Sequence, residues 1–416
     1  MYKKTVLDNG VRILSEQLSS RVVAFGIWVD VGARDEDSTN NGSAHFIEHM
    51  LFKGTHLRSP GQIAVELDLL GGLGNAFTSG EQTCYHSTVL SSHLERAVGL
   101  FADLFLHSIF ADDEVERERQ VILQEISMVE DTPDDRVHEL FSSLIWEGHA
   151  LGNTVLGLPV IISGQDRTRL IDFQSRGYRP ERIVIVAAGD VDHRKFVSLW
   201  NALFGRIESN TPALPARRSP PQLQPRLIVD ERSLEQIHLV LGVPGLPVSA
   251  AQRYALLLLH TILGGNMSSR LFQEIREKRG LAYSVYSYLA SYTDSGYLGI
   301  YLGVDPGVLR ESLALVRHEI HRLLRDPVSS KDLDAAIEYA KCSMFLAVDH
   351  MESRMTRLAR NELFFGREIP IDEVVIDLEK VTVDEIGALA SSLLAGENLF
   401  GVAMGPVSLE EFRGSI

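Results

Sequence analysis

Residues 42–55 read GSAHFIEHMLFKGT, and the apolar residues of this stretch recur at helical spacing. His45 and His49 are four residues apart, so their imidazoles lie one turn apart on the same helix face. Glu48 follows His45 by three residues and therefore leans towards the same point. Two imidazoles placed in this way can coordinate one metal ion beside a carboxylate.

Zinc is the metal that this pattern indicates. Zn²⁺ suits neutral imidazole and carboxylate ligands, and a catalytic zinc site keeps one position open for water. The metal lowers the pKa of that water, and a nearby carboxylate takes its proton. His-x-x-Glu-His is the inverted form of a metalloprotease motif. The alternative is a buried amphipathic helix, capped by Ser43 and ended by Lys53-Gly54, whose histidines are four apart by coincidence.

A third protein ligand is expected in the helical stretch that follows Asp112. Glu125 ends an apolar run, where a carboxylate normally requires a metal or a hydrogen-bond donor. Glu118 lies seven residues earlier, two helical turns away on the same face. One interpretation makes Glu125 a metal ligand and Glu118 its supporting carboxylate. The other makes both residues solvated charges of a helix face.

Length and composition bound the class of protein. The 416 residues suggest two to four domains, and the formal charge of −16 argues against a nucleic-acid surface. Cys84 and Cys342 are the cysteines, too few for a disulfide scaffold, which fits a reducing compartment. No secretory signal or membrane span is expected. We therefore expect a cytoplasmic protein, or one of an organelle matrix after removal of a transit peptide.

The order of strands and helices repeats after roughly 200 residues. The strand-like segment 22–31, for example, has a counterpart at 237–243. Five prolines fall within residues 209–225, which predicts an extended linker. We predict an α+β fold of two tandem homologous domains, each a mixed or antiparallel sheet covered by helices. The catalytic domain would span residues 1–208 and the C-terminal domain residues 226–416.

The motifs resemble the pitrilysin and insulinase family of zinc peptidases, most closely its mitochondrial-processing-peptidase-like branch. The match consists of His45-x-x-Glu48-His49, then 75 residues, then Glu125, and the similarity covers essentially the whole chain. The resemblance implies that His45, His49 and Glu125 hold one zinc ion. It also implies that Glu48 is the catalytic base and that Glu118 supports the site.

The resemblance further implies how an extended peptide is held. Asn75, Ala76, Phe77 and Thr78 would form an exposed edge strand beside the zinc, to which the substrate adds as a further strand. Main-chain hydrogen bonds hold any sequence, so such a site tolerates varied side chains. A glycine-rich turn that leads into a core strand is the alternative interpretation.

The second half offers Arg276 and Tyr283, seven residues apart. In the family an arginine and a tyrosine at this place hold the substrate carbonyl, where they could stabilise a developing oxyanion. Without the resemblance, Arg276 is a charge on an exposed helix and Tyr283 a core aromatic. Relatives of the insulin-degrading type carry four such domains, and this chain has the length for two. We therefore expect a homodimer in which each chain completes the partner's site.

Asp135 and Glu139 lie ten and fourteen residues beyond Glu125. In the processing peptidase, acidic residues at the matching positions hold an arginine near the cleaved bond, and two carboxylates suit a guanidinium. A solvated acidic first turn of a helix is the alternative.

These features predict a zinc metalloendopeptidase that acts on unfolded peptides or on basic, presequence-like segments. The alternative is a non-catalytic core or partner subunit of a processing-peptidase-like complex. Such relatives usually have broken zinc motifs, whereas every ligand position is filled here. A scaffold that binds metal without catalysis is a third interpretation.

Overall fold

A computed structural model describes residues 1–208, 211–220, 224–396 and 398–416. The chain forms two compact units, and each combines a β-sheet with helices. Unit 1 comprises Met1–Met128, Asn153–Arg218 and Leu346–Glu368. Unit 2 comprises Val129–Gly152, Ser219–Phe345 and Ile369–Ile416. The predicted α+β class is confirmed.

The strands are β1 Tyr2–Val6, β2 Arg12–Gln17, β3 Val22–Val29, β4 Gly74–Thr78, β5 Thr83–Leu90, β6 Ile183–Gly189, β7 Leu227–Glu231, β8 Ile237–Pro244, β9 Ala282–Ser291, β10 Gly296–Val304 and β11 Phe400–Gly405. The helices are α1 Ser43–Met50, α2 Pro60–Leu70, α3 Leu94–His107, α4 Asp112–Glu130, α5 Pro133–Ile145, α6 Pro159–Gly164, α7 Arg167–Gly177, α8 His193–Phe204, α9 Arg253–Gly264, α10 Leu309–Arg325, α11 Ser330–Ala347, α12 Met351–Phe365, α13 Ile371–Glu379, α14 Val383–Leu394 and α15 Leu409–Ser415.

The two sheets share one topology. The sheet of unit 1 has the order β1-β2-β6-β3-β5-β4, and the sheet of unit 2 has the order β7-β11-β8-β10-β9. In each sheet one pair, β2 with β6 or β7 with β11, is parallel, and the remaining pairs are antiparallel. Unit 1 adds β1 at one edge. The predicted repeat of a mixed sheet in each half is therefore confirmed.

A helix from the opposite half of the sequence covers one face of each sheet. In unit 1, α12 packs its Met355 against Trp28 and Cys84 of the sheet. A Cβ on Gly26 would lie 3.0 Å from the Met355 sulfur, so glycine allows this close approach. In unit 2, α5 brings Phe141 to Gly242, where a Cβ would lie 2.4 Å from the ring. Gly26 lies in β3 and Gly242 in β8, the strands over which these two helices pack.

Because of this exchange, the boundaries of the compact units differ from those of the domains predicted at 1–208 and 226–416. Residues 129–152 of the first half belong to unit 2, and residues 346–368 of the second half belong to unit 1. The physical reason is that central strands are buried on both faces and need a helix on each, and here the second helix comes from the other half.

The predicted linker, 209–225, lies partly outside the described residues, because 209–210 and 221–223 are not among them. Its described residues 211–220 adopt no helix or strand, and those up to Arg218 belong to unit 1. Leu214 is buried, and the Arg217 guanidinium donates to the Asp35 carboxylate at 2.7 Å and to the Glu81 carbonyl at 2.8 Å. Within the described parts of the chain, every helix falls short of the combined length and hydropathy needed to cross a bilayer.

Candidate metal centre

Helix α1 carries the His-x-x-Glu-His motif, and a buried carboxylate caps it. The predicted cap, Ser43, is instead the first helical residue, and its hydroxyl accepts a hydrogen bond from Gln165 at 3.1 Å. Glu36 accepts the backbone N–H groups of Gly42 and Ala44, both at 2.8 Å. Burial raises the pKa of Glu36 to about 8, although these donors oppose the shift. Gly42 turns the chain with a φ of 90°, which a side chain would disfavour.

The three predicted metal ligands converge in unit 1. The Nε2 atoms of His45 and His49 are 3.2 Å apart. Glu125, on α4, brings Oε2 to 3.7 Å from His45 Nε2 and to 3.8 Å from His49 Nε2. Among the described residues, this group of histidines and a carboxylate has the spacing to hold a metal ion.

These separations fit a tetrahedral zinc site. Zinc holds nitrogen and oxygen ligands at about 2.0–2.1 Å, which places neighbouring donors roughly 3.3–3.5 Å apart. Burial, with His49 nearby, lowers the pKa of His45 to about 3, so its ring is neutral, as a ligand must be. In the described part of the chain, the buried Oε2 of Glu125 has no hydrogen-bond donor. Buried carboxylate oxygens of this kind require a cation or a donor.

Glu118 orients one of the histidines from behind. The Nδ1–H group of His49 donates to Glu118 Oε2 at 3.0 Å, and Lys53 donates to Glu118 Oε1 at 2.6 Å. Burial acts to raise the pKa of Glu118, but the hydrogen bonds from His49 and Lys53 outweigh it and lower that pKa. With its proton held on Nδ1, His49 presents the lone pair of Nε2 towards His45 and Glu125.

Glu48 stands beside the three donors without being one of them. Its Oε2 accepts a hydrogen bond from the Thr78 hydroxyl at 2.6 Å. Burial raises the pKa of Glu48 above its ordinary value, opposed by the Thr78 hydrogen bond and by His49. A half-buried carboxylate with a raised pKa is a suitable proton acceptor near a metal site.

The residues predicted to hold a peptide form β4. This strand lies at the edge of the sheet and pairs with β5 on one side. Asn75 and Phe77 are exposed, while Ala76 and Thr78 are half-buried on the side of the core. The side chain of Asn75 accepts the N–H of Ala76 at 2.9 Å, so a local hydrogen bond already occupies this backbone group.

The other predicted residues lie in unit 2. Arg276 belongs to a π-helical turn, and its guanidinium stacks over the ring of Tyr283 at 5.0 Å. Tyr283 is 80% exposed, so the alternative interpretation of it as a core aromatic is wrong. On α5, Asp135 is exposed, and Glu139 accepts a hydrogen bond from Arg136 at 2.8 Å. One of the two carboxylates of the predicted clamp thus already has a guanidinium partner.

Three contacts of this centre were not predicted from the sequence. Glu36 lies in a charged turn without periodicity, Lys53 looked like a helix stop, and Thr78 was expected to contact substrate rather than Glu48. Each depends on a neighbour that is distant along the chain or on a side-chain direction. A carboxylate shortly before a glycine-started helix, as at Glu36, is the one pattern that could have suggested a cap.

Comparison with known proteins shows the family of this chain. Residues 12–158 match the insulinase family (peptidase family M16), and residues 166–339 match the domain described as peptidase M16 inactive domain. A protein of Bacillus subtilis called an uncharacterized zinc protease is 39% identical over 396 residues, which cover 94% of this chain and 96% of that protein. A protein of Mycobacterium leprae, also called an uncharacterized zinc protease, is 40% identical over 395 residues. These residues cover 94% of this chain and 89% of that protein.

Solved structures share the fold. A protease from Helicobacter pylori superposes with a TM-score of 0.91 at 22% identity, over 98% of this chain and 99% of the other. A Pseudomonas fluorescens structure described as a peptidase M16 inactive domain superposes with a TM-score of 0.89 at 20% identity, over 98% of both chains. Because identity of more than a third extends over nearly the full length of the first two relatives, the chain belongs to the insulinase family of peptidases, family M16.

Proposed function

We propose that this protein is a zinc-dependent endopeptidase that hydrolyses unfolded peptides, with a preference for basic segments. The observation that carries the proposal is the convergence of His45, His49 and Glu125, with Glu48 fixed beside them. The names of the relatives, which are called zinc proteases, point the same way.

His45, His49 and Glu125 would hold the zinc ion, which supplies Lewis-acid activation of water and of the scissile carbonyl when bound. Glu48 would accept the proton of the attacking water at its carboxylate and later deliver it to the leaving amine. Glu118 would keep the proton of His49 on Nδ1 throughout, so that Nε2 stays available as a ligand.

The edge strand β4 would hold the substrate in an extended conformation. A peptide adding to this edge hydrogen bonds through its main chain, so its side chains are free to vary. The Ala76 N–H would exchange its Asn75 partner for a substrate carbonyl. The half-buried Arg276 stacks over the exposed Tyr283, and these two side chains would stabilise the carbonyl oxygen that becomes an oxyanion.

Asp135 and Glu139 would select a basic side chain near the cleaved bond. Arg136 already pairs with Glu139, so an arginine of the substrate would have to compete with it. We expect Asp135→Asn with Glu139→Gln to weaken the preference for arginine over norleucine in a peptide library, with less effect on neutral peptides. An unchanged preference would refute the clamp while leaving the peptidase proposal intact.

We further propose a cytoplasmic homodimer in which Arg276 and Tyr283 of one chain serve the site of its partner. Both half-sites occur in this chain, which is the basis of the proposal. Mixing a Glu48→Gln chain with a Tyr283→Phe chain should restore activity, because one hybrid site then has both residues. Light scattering that shows a fully active monomer would contradict the dimer.

The central test compares the wild type with Glu48→Gln after both are loaded with zinc. We expect about one zinc per chain in each protein by elemental analysis. We expect a quenched basic peptide to be cleaved by the wild type and at least about 100-fold more slowly by the variant. A chelator should abolish cleavage and added zinc should restore it. Equal rates, or no cleavage by the wild type, would favour a non-catalytic subunit.

A further inference from the structure

Thr78 makes a short hydrogen bond to Glu48, the proposed base. The Thr78 hydroxyl donates to Glu48 Oε2 at 2.6 Å, the distance of a strong hydrogen bond to a charged acceptor. Holding Oε2 in this way leaves Oε1 as the oxygen that can accept a proton. It also restricts the rotation of a side chain that would otherwise sample several rotamers.

The Thr78 proton has one favoured acceptor. Thr83 Oγ1 lies 3.4 Å away, which is long for a hydrogen bond. The Thr83 hydroxyl donates its own proton to the Val31 carbonyl at 3.0 Å, so it cannot donate to Thr78 in that arrangement. Thr78 therefore aims its proton at Glu48, and Thr83 occupies the space on its other side.

Two buried phenols extend the hydroxyl contacts of Thr83. Tyr85 and Tyr178 share a hydrogen bond of 2.7 Å, and Tyr178 also interacts with Thr83. Tyr85 is 2% exposed and packs against Phe105, so this chain of hydroxyl groups ends inside the core. Both phenols are buried, which suits a support for Glu48.

The turn after Thr78 is firmly held as well. Ser79 and Gln82 close it with a backbone hydrogen bond of 2.8 Å, and the N–H of Ala33 donates to the Ser79 carbonyl at 3.1 Å. A Cβ on Gly32 would lie 2.3 Å from that carbonyl, so the two backbones are in close contact. The backbone of Thr78 is thus fixed at the point where its hydroxyl meets Glu48.

We propose that Thr78 is a positioning residue for Glu48, supported by Thr83 and Tyr178. The proposal rests on the proposed peptidase function and deepens it. Thr78 acts through the base rather than as a metal ligand, because His45, His49 and Glu125 supply those atoms. Its loss should slow turnover while leaving zinc binding in place.

The test uses Thr78→Val, which keeps the shape and removes the hydroxyl, and Thr78→Ser, which restores the hydroxyl. We expect the valine variant to lose about 10- to 100-fold in kcat, the equivalent of one hydrogen bond to a charged group. KM should change by less than about twofold, since the contact serves the transition state. Serine should recover most of the loss. Thr88→Val, on neighbouring β5, is the matched control and should keep the wild-type kcat.

Zinc content and thermal unfolding of every variant show whether the fold and the metal are intact. In a Glu48→Gln background, Thr78→Val should cause no further loss, because its effect passes through Glu48. An unchanged kcat in Thr78→Val, beside an inactive Glu48→Gln, would overturn this inference alone. A rise in KM at constant kcat, or loss of zinc, would assign Thr78 to substrate or to the metal instead. A wild type without peptidase activity would overturn both proposals.

Discussion

Replacing Glu118 by glutamine tests whether a buried carboxylate sets the metal affinity of His49. Glu118 is 4% exposed and accepts one donor on each oxygen, His49 at 3.0 Å and Lys53 at 2.6 Å. Glutamine has nearly the same shape, but one of its two terminal atoms is an acceptor oxygen and the other an NH₂ group that donates. It can therefore satisfy His49 or Lys53, but not both.

Both orientations of the amide weaken the site. If the amide oxygen faces His49, its NH₂ group points at the Lys53 ammonium, and two donors oppose each other. If the oxygen faces Lys53, the NH₂ group requires Nδ1 of His49 to be an acceptor. The ring proton then moves to Nε2, the atom that faces His45 and Glu125. Loss of such a supporting carboxylate typically lowers metal affinity about 10- to 100-fold, or roughly 1.4–2.7 kcal/mol.

The assay is the zinc dissociation constant, measured by competition with a chromophoric chelator. We expect Glu118→Gln to raise Kd by that factor while the stoichiometry stays at about one zinc per chain. Glu116→Gln is the control, because Glu116 lies on the same helix, is exposed and pairs with Arg119. A Kd equal to that of the wild type, or an equal change in Glu116→Gln, would refute the role assigned to Glu118.

Two further predictions concern stability. Gly242→Ala should lower the free energy of unfolding, measured in urea, by about 1–3 kcal/mol, because its Cβ would meet the Phe141 ring. Gly99→Ala, in open space on α3, should raise it by up to about 1 kcal/mol. Equal effects of the two substitutions would contradict the packing argument. His260 donates from Nδ1 to Ser287 at 2.8 Å, and burial lowers its pKa to about 4 from an ordinary value of about 6.5. The free energy of unfolding therefore has its full value above about pH 6.5 and falls as the pH drops towards 4, with a loss of roughly 2 kcal/mol at about pH 5. In His260→Gln the free energy of unfolding should depend less on pH over that range.

Local signals predicted the elements of this fold well. Segment 22–31 was predicted as a strand and forms β3, Val22–Val29, and segment 237–243 forms β8, Ile237–Pro244. These two segments are recognisable because a strand buried on both faces is a nearly continuous apolar run. The helix that carries the histidines ends before Gly54, as predicted, and α2 begins at Pro60.

The pairing of helices with sheets was not predictable in the same way. The apolar faces of α5 and α12 indicate that these helices are buried, but they do not indicate which sheet each helix packs against. Gly26 and Gly242 make room for these helices, yet a strand glycine by itself fits a bulge or a bend equally well. The exchange of helices between the two halves therefore became visible through packing alone.

The amino-acid order by itself determined that His45 and His49 share one helix face, because helix geometry relates residues four apart without reference to anything else. It also identified Glu48 as their neighbour. Tertiary structure alone decided that Glu125, separated from His49 by 75 residues, brings its carboxylate to 3.7 Å from His45. It likewise decided that Glu36 caps α1 and that Thr78 holds Glu48. Contacts between distant segments depend on how whole elements pack and on which rotamers the packing leaves open, and no local spacing encodes either.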